Sequence, residues 1–433
     1  MRTGTTAAKS TQGMPERSSK SRNRLAFFLI LFYVFLEYGR PQALLPPLRF
    51  LHLSALTGVM LAALLFVRGK VRSKDRQTLL FVLLLALMVV HGPIAVNNYW
   101  ALMTFIAMCY NFIAYLSLVH FVDDEERFGK LVDVWIKVHV MVAVVGIVYK
   151  GRGAGGFLGD ENDLCLTLNM VLPFGFFLAM SAPKNSKRIY YIALTCIFLF
   201  VIILTKSRGG FVGLAATGAY CWWKSKRKVL SGAVVVVLAL FMMLVAPSTY
   251  WDEVRSISDD TEASPYGTGS ARFYQWKVAR EMFLDHPIMG VGQGNFPWNV
   301  YTIEQELGLS FHQRSMAGRE AHSLYFTLIP ELGLIGIVLF GWMLLLTVKN
   351  LWYIQRLAAI DKSPVDGSLQ FASLAMSLEA GLVGYLASGA FLSVLYYPNF
   401  WLLMGFTLSL RKILERRQGL GIPAFNAGRS GSQ

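Results

Sequence analysis

Long apolar runs alternate with short polar or basic connections along most of the chain. Twelve runs stand out, at roughly 25–39, 50–68, 77–95, 99–120, 130–149, 164–182, 189–205, 209–223, 229–247, 322–348, 369–391 and 394–410. A crossing helix takes about 20 mostly apolar residues, because the hydrocarbon layer is about 30 Å thick and offers no partner to an unpaired peptide group. The pattern predicts an all-α integral membrane protein with about twelve transmembrane helices. The first and last runs are among the shortest, so a count of ten or eleven fits nearly as well.

One stretch interrupts the alternation. Residues 248–321 are too polar to lie in lipid and too long for a passive link. Inside them, Ser270 to Asp285 predicts an amphipathic helix. Ser270 is its candidate N-cap, Phe273, Trp276, Ala279 and Phe283 lie on one face, and Pro287 follows its end. A glycine-dense segment, Gly290-Val291-Gly292-Gln293-Gly294-Asn295-Phe296, comes next, where the chain can turn sharply or approach a ligand closely. The predicted organisation is a basic tail (1–24), nine spans (25–247), an outer loop (248–321), three spans (322–410) and a second tail (411–433). No internal repeat of fixed period is visible, so a transporter built from repeats gains no support.

Composition agrees with a membrane protein: of 433 residues 55% are hydrophobic and 15% charged, and mean hydropathy is +0.47. The net charge of +15 raises the question of nucleic acid, and its distribution answers it. Basic residues fill the first tail and every even-numbered connection, as in Lys70-Val71-Arg72, Arg127, Lys184, Lys187-Arg188, Lys224, Lys226-Arg227-Lys228 and Arg411-Lys412. That is the positive-inside pattern, with both termini cytoplasmic and odd-numbered connections outside. A nucleic-acid partner loses its main support and a lipid bilayer takes its place. The four cysteines (Cys109, Cys165, Cys196, Cys221) lie in apolar runs without metal-type spacing, so neither a disulfide framework nor a metal site is expected. No small-residue cleavage site follows the first run, and a signal peptide is not expected.

Three residues on predicted outer connections carry candidate chemistry. Arg208, in Ser207-Arg208-Gly209-Gly210, is either a snorkelling anchor or a planar fork gripping phosphate; Gly209 and Gly213 equally suit close helix packing. Arg272 falls in the first turn of the predicted loop helix, where a cation is mildly unfavourable unless an anion joins it. His322 opens the tenth run; it either bonds a neighbouring helix or, as a neutral imidazole, accepts a proton from a hydroxyl. The other six histidines share no spacing and read as structural. Asn162 and Asp163, in Gly159-Asp160-Glu161-Asn162-Asp163, are candidates to position a substrate, with helix capping by Asp160 or Asn162 as the plainer alternative. No Walker loop or dinucleotide fingerprint is present, and no cofactor is expected. A transporter or flippase would need ionisable residues along the spans; only Asp133, Lys137 and Glu379 qualify, and the first two are spaced to pair with each other.

The segments Gly269 to Trp276, His286 to Phe296, Ala321 to Tyr325 and Glu331 to Gly336, preceded by Gly159 to Asp163 and Ser207 to Gly210, resemble the core of the O-antigen ligase and polymerase superfamily of bacterial inner-membrane glycosyltransferases. The strong part spans roughly 160–340. The resemblance implies a metal-independent, inverting enzyme. Such an enzyme takes a glycan from undecaprenyl diphosphate and passes it, at the periplasmic face, to the lipid A core, a growing glycan or a protein hydroxyl. Carried over residue by residue, it gives Arg208 and Arg272 the diphosphate and His322 the position beside the forming bond. Glu37-Tyr38-Gly39-Arg40-Pro41 is similar to branches serving exopolysaccharide or protein glycosylation as much as to lipopolysaccharide ligases, so ligase and repeat-unit polymerase both fit.

Overall fold

The computed structural model describes residues 15–67, 75–225, 268–360 and 370–420, and single positions 228, 229, 232 and 236. Within these residues the protein is helical, and its one β contact is an isolated bridge between Phe311 and Arg314. The helices are α1 (Pro15–Val34, continued by the π-helical turn Phe35–Gly39), α2 (Leu53–Val67), α3 (Arg76–His91), α4 (Asn98–Phe121), α5 (Glu125–Val148), α6 (Glu161–Ser181) and α7 (Asn185–Thr205). They continue as α8 (Arg208–Lys224), α9 (Thr268–Asp285), α10 (Phe296–Glu306), α11 (Leu324–Ile360), α12 (Phe371–Gly389) and α13 (Pro398–Arg417). Eleven of the twelve predicted runs coincide with one of these. The ninth, 229–247, and the first part of the outer loop lie outside the described residues. Seven of the described helices are long and apolar enough to cross a membrane.

Helix starts follow side-chain chemistry. Asp75, Asp124, Asp160 and Ser207 each accept a backbone N–H from the first turn of α3, α5, α6 and α8, relieving donors that a helix cannot satisfy itself. At the centre, α6 and α12 are buried along most of their length. Small residues let them and α8 approach closely: a Cβ on Gly213 would sit 1.8 Å from the Ser388 hydroxyl, and one on Gly384 would sit 2.4 Å from that of Thr217. The glycines beside Arg208 therefore serve packing.

The connections sort to two ends, as the charge pattern predicts. At one end, Asn97 exchanges hydrogen bonds with Asn295, Phe157 meets Tyr397, and Trp276 meets Phe391. At the other, Arg417 pairs with Glu125 at 3.1 Å, Arg411 donates to Asn350, Lys224 donates to Gln355 and Gln370 donates to the Ser181 carbonyl. Among the described residues, odd-numbered connections thus meet at the first end and even-numbered ones at the second. Asp133 and Lys137 do pair with each other, at 2.6 Å, and Glu379 accepts from Trp352 and Gln355.

Two expectations are corrected. The loop helix begins at Thr268, so Ser270 is inside it and is not its cap. Its deepest stripe is Gln275, Val278, Ala279 and Met282, whereas Phe273 is exposed. The helix has two neighbours. The aliphatic stripe closes a small separate core with Val291, Phe296, Val300, Ile303 and Met316, while Trp276 turns toward the bundle and stacks on Phe326 at 5.0 Å. Periodicity alone registers one wide apolar stripe in place of two adjoining ones.

The tenth run, predicted as one span, is broken. Gly333 (φ 59°, ψ −162°) leaves helical geometry inside α11, in a region that in practice only glycine occupies. The freed carbonyls of Pro330 and Glu331 accept from Val291 and Gly292, and the N–H groups of Leu334 and Ile335 donate to Pro287 and Ile288, all at 2.9–3.1 Å. Such a break is tolerated at membrane depth only where it is buried and fully bonded. The two glycine-bearing motifs of the resemblance, 286–296 and 331–336, are the two halves of this one junction.

Candidate active site

At the end where the odd connections meet, five chain segments converge: the start of α6, the α7–α8 link, the first turns of α9, the residues before α11, and the α12–α13 link. Asp160 caps α6, its carboxylate accepting from Asn162 and Asp163 at 2.8 Å each. The Asn162 carbonyl oxygen in turn accepts from the Ser207 hydroxyl at 2.6 Å, and Ser207 caps α8. Asn162 thus ties the α6 start to the residue preceding Arg208. Asp163 lies beside it in the same first turn, next to Asp160 and Glu320.

Arg208 and Arg272 are brought together. Burial chiefly, and then the Arg208 charge, lower the Arg272 pKa, with Asp160 opposing. Guanidinium groups stay charged in proteins, so the consequence is electrostatic: two fixed positive charges lie close enough to act on each other. A packing path fixes them as well. Trp276, one turn beyond Arg272, reaches Phe391 at 6.4 Å between ring centroids, and a Cβ on Gly209 would lie 3.0 Å from the Phe391 side chain.

His322 completes the group. It precedes α11 with a left-handed backbone (φ 48°), uncommon for a non-glycine residue and found most often where surroundings impose it. Trp276 imposes it in part, donating its indole N–H to the Ala321 carbonyl at 3.0 Å. Trp276 therefore ties the helix that carries Arg272 to the residue preceding His322. His322 is exposed, yet burial by the surrounding chain lowers its pKa, Arg272 lowers it further, Asp160 opposes and Arg319 adds to the lowering. The imidazole is accordingly neutral near pH 7, the form that can accept a proton. Histidines read as structural behave so where bonds are seen: His91 faces the Gln293 amide at 3.1 Å and His139 the Trp135 carbonyl at 2.7 Å.

Two contributors escaped the sequence reading. Glu331, inside α11, accepts from the backbone N–H groups of Gly294 (2.7 Å) and Phe296 (3.0 Å) and from the Tyr396 hydroxyl (2.7 Å). It clamps the glycine-dense segment against the bundle. Arg40, from the Glu37 to Pro41 motif, also reaches this end, where its guanidinium lies 5.3 Å from the centroid of the Phe157 ring. Pro330 and Gly333 flanking an acidic residue in an apolar run was the available signal for the first; an arginine at the start of an odd-numbered connection was the signal for the second.

Comparison with known proteins agrees with the resemblance. Residues 192–341 match the Wzy_C family, described as O-antigen ligase. The stretch covers most of α7, then α8, α9, α10 and the first half of α11, and hence Arg208, Arg272 and His322. Over 140 residues the chain is also 24% identical to the protein PNS1 of Candida albicans, covering 27% of each. The chain thus spans about a quarter of the length of that curated relative.

Proposed function

We propose that the protein is a twelve-span glycosyltransferase of the bacterial inner membrane, with both termini cytoplasmic and the Arg208–Arg272–His322 cleft periplasmic. It moves a glycan from undecaprenyl diphosphate to a hydroxyl of an acceptor, either lipid A core or another surface glycan. The carrying observation is the convergence of two guanidinium groups and a neutral imidazole, from three separate chain segments, at the end of the bundle that bears the odd connections. The Wzy_C match over the same residues supports it.

In this reading the acceptor oxygen attacks the anomeric carbon of the donor sugar from the side opposite the diphosphate. The bond from that carbon to the phosphate oxygen breaks, and its electron pair leaves with the diphosphate. Arg208 and Arg272 meet the growing negative charge with donors already in place, the kind of preorganised electrostatics that dominates many enzyme rate enhancements. His322 takes the proton from the attacking hydroxyl. The residues named supply every one of these roles without a metal ion.

The test is transfer by the purified protein in lipid, given undecaprenyl-diphosphate glycan and a panel of acceptors without added metal. Glycosylated acceptor is the expected product, and no product on any acceptor overturns the reading. Product length separates the two acceptor readings: single additions mark a ligase, ladders of repeat units a polymerase.

The pH profile gives a second expectation. Because the His322 pKa is lowered, its base form persists below the ordinary value of about 6.5, and kcat/KM should fall only on acidification past that point. Arg319→Gln removes one of the lowering charges, so the acid limb should move to higher pH. Profiles measured over about pH 5 to 8 that coincide for both proteins would locate the titrating group elsewhere.

A further inference from the structure

Arg40 is built into the same end of the bundle but away from the Arg208–Arg272 pair. Its backbone is left-handed (φ 47°), at the close of the π-helical turn Phe35–Gly39 and just before Pro41. Its guanidinium is held between two surfaces. One is the Phe157 ring, at 5.3 Å. The other is Gly156, where an added Cβ would lie 2.1 Å from Nη2 and 2.6 Å from Nη1. Despite this confinement the Nε atom is buried with no hydrogen-bond partner, and among the described residues the fork makes no ion pair. A buried donor without a partner is costly, and it suits a group that arrives from outside.

The surroundings say what kind of group. Glu37 and Tyr397 act electrostatically on Arg40, and Tyr397 in turn lies within reach of Asp163, Glu320 and Asp160. Several carboxyl groups surround this one cation, and burial raises the pKa of Glu320, so the place offers hydrogen-bond partners to a neutral ligand. Sugar hydroxyls fit both partners, accepting from the fork and donating to the carboxylates. Phe157 and Tyr397, 5.5 Å apart and inclined at 55°, add an aromatic corner for the apolar C–H face of a sugar ring.

Resting on the transferase reading above, we propose that Arg40, Tyr397 and Phe157, with Asp163 and Glu320, form the acceptor subsite and take a neutral sugar ring. Asp160 acts electrostatically on Tyr397, on Arg272 and on His322, which puts this subsite in the neighbourhood of the diphosphate cations and the imidazole. An acceptor held here approaches the anomeric carbon from the side away from the leaving group.

The experiment compares Arg40→Lys, which keeps the charge and loses the fork, and Tyr397→Phe with the unaltered protein in the reconstituted transfer. The acceptor is a glycan ending in a neutral hexose; donor affinity is measured directly with labelled lipid-linked glycan. Acceptor KM should rise roughly tenfold or more in Arg40→Lys, given the worth of a bidentate fork, and measurably in Tyr397→Phe, while the donor Kd stays within about twofold. An unchanged acceptor KM in both variants overturns the proposal, as does a parallel loss of donor affinity. So does a phosphorylated acceptor whose preference over the neutral one disappears in Arg40→Lys. Should Arg40→Lys fail to accumulate, the Tyr397→Phe result decides. Inactivity of the unaltered protein sinks the transferase reading itself; activity with unchanged acceptor KM in the variants sinks the subsite alone.

Discussion

Arg272→Ala is expected to slow glycan transfer by about two to three orders of magnitude, the usual cost of removing one preorganised donor from a charge-stabilising site. His322→Ala is expected to cost about 10²- to 10⁴-fold, the usual contribution of a general base. Arg272 lies on α9, one turn before Trp276, and burial and the Arg208 charge both lower its pKa. A diphosphate that gains charge as its bond breaks is held more tightly by two guanidinium groups in the transition state than before it. Arg272→Lys should therefore rescue only a minor part of the loss, since an ammonium is a point charge and not a fork. For His322 the left-handed backbone and the Trp276 bond to Ala321 fix where the ring stands, so Trp276→Phe should reproduce a fraction of the His322→Ala defect. The measurement is turnover of a preformed lipid-linked donor by variants that accumulate normally. Full turnover in both Arg272→Ala and His322→Ala would remove the assignment.

The helices and the sorting of connections were legible because both are one-dimensional signals. Apolar length sets where a span is, and basic residues set which end each connection joins. The placing of Arg208, Arg272 and His322 at one end was legible for the same reason, since they are charged or polar residues on connections assigned to one side. What stayed hidden depends on packing between distant segments. Tyr397 sits at the edge of an apolar run and looks like any interfacial aromatic; only the approach of Phe157 gives it a neighbour. Arg40 lies outside the core of the family resemblance, and its confinement depends on Gly156, more than a hundred residues away. The stripes of α9 were misjudged because the sequence does not say that one helix faces two different neighbours. The break at Gly333 was hidden because hydropathy is blind to backbone geometry: Leu332-Gly333-Leu334 is as apolar as the span on either side.

That break supports the second large expectation, which concerns the fold. Glu331→Ala would strip the Gly294 and Phe296 N–H groups and the Tyr396 hydroxyl of their shared acceptor. Each unpaired buried donor costs about 1–3 kcal/mol, and the three costs overlap because the segment can shift as a unit, so a net loss of roughly 3–5 kcal/mol is expected, a large part of a typical domain's stability. Gly333→Ala attacks the same junction through the backbone. Its Cβ would lie 2.6 Å from the Gly290 N and the Ile288 carbonyl oxygen, and alanine does not readily adopt φ 59° with ψ −162°. Both variants should accumulate poorly and unfold at lower temperature in detergent. Glu331→Gln keeps one carbonyl oxygen and loses the other, so it should fall between them and the unaltered protein. Because the junction seats the 286–296 segment and thereby the lobe carrying Arg272, activity should track the folded fraction: turnover per folded molecule of Glu331→Gln should stay within a few-fold of normal. A variant that folds as stably as the unaltered protein but has lost turnover would instead make Glu331 a participant in the chemistry.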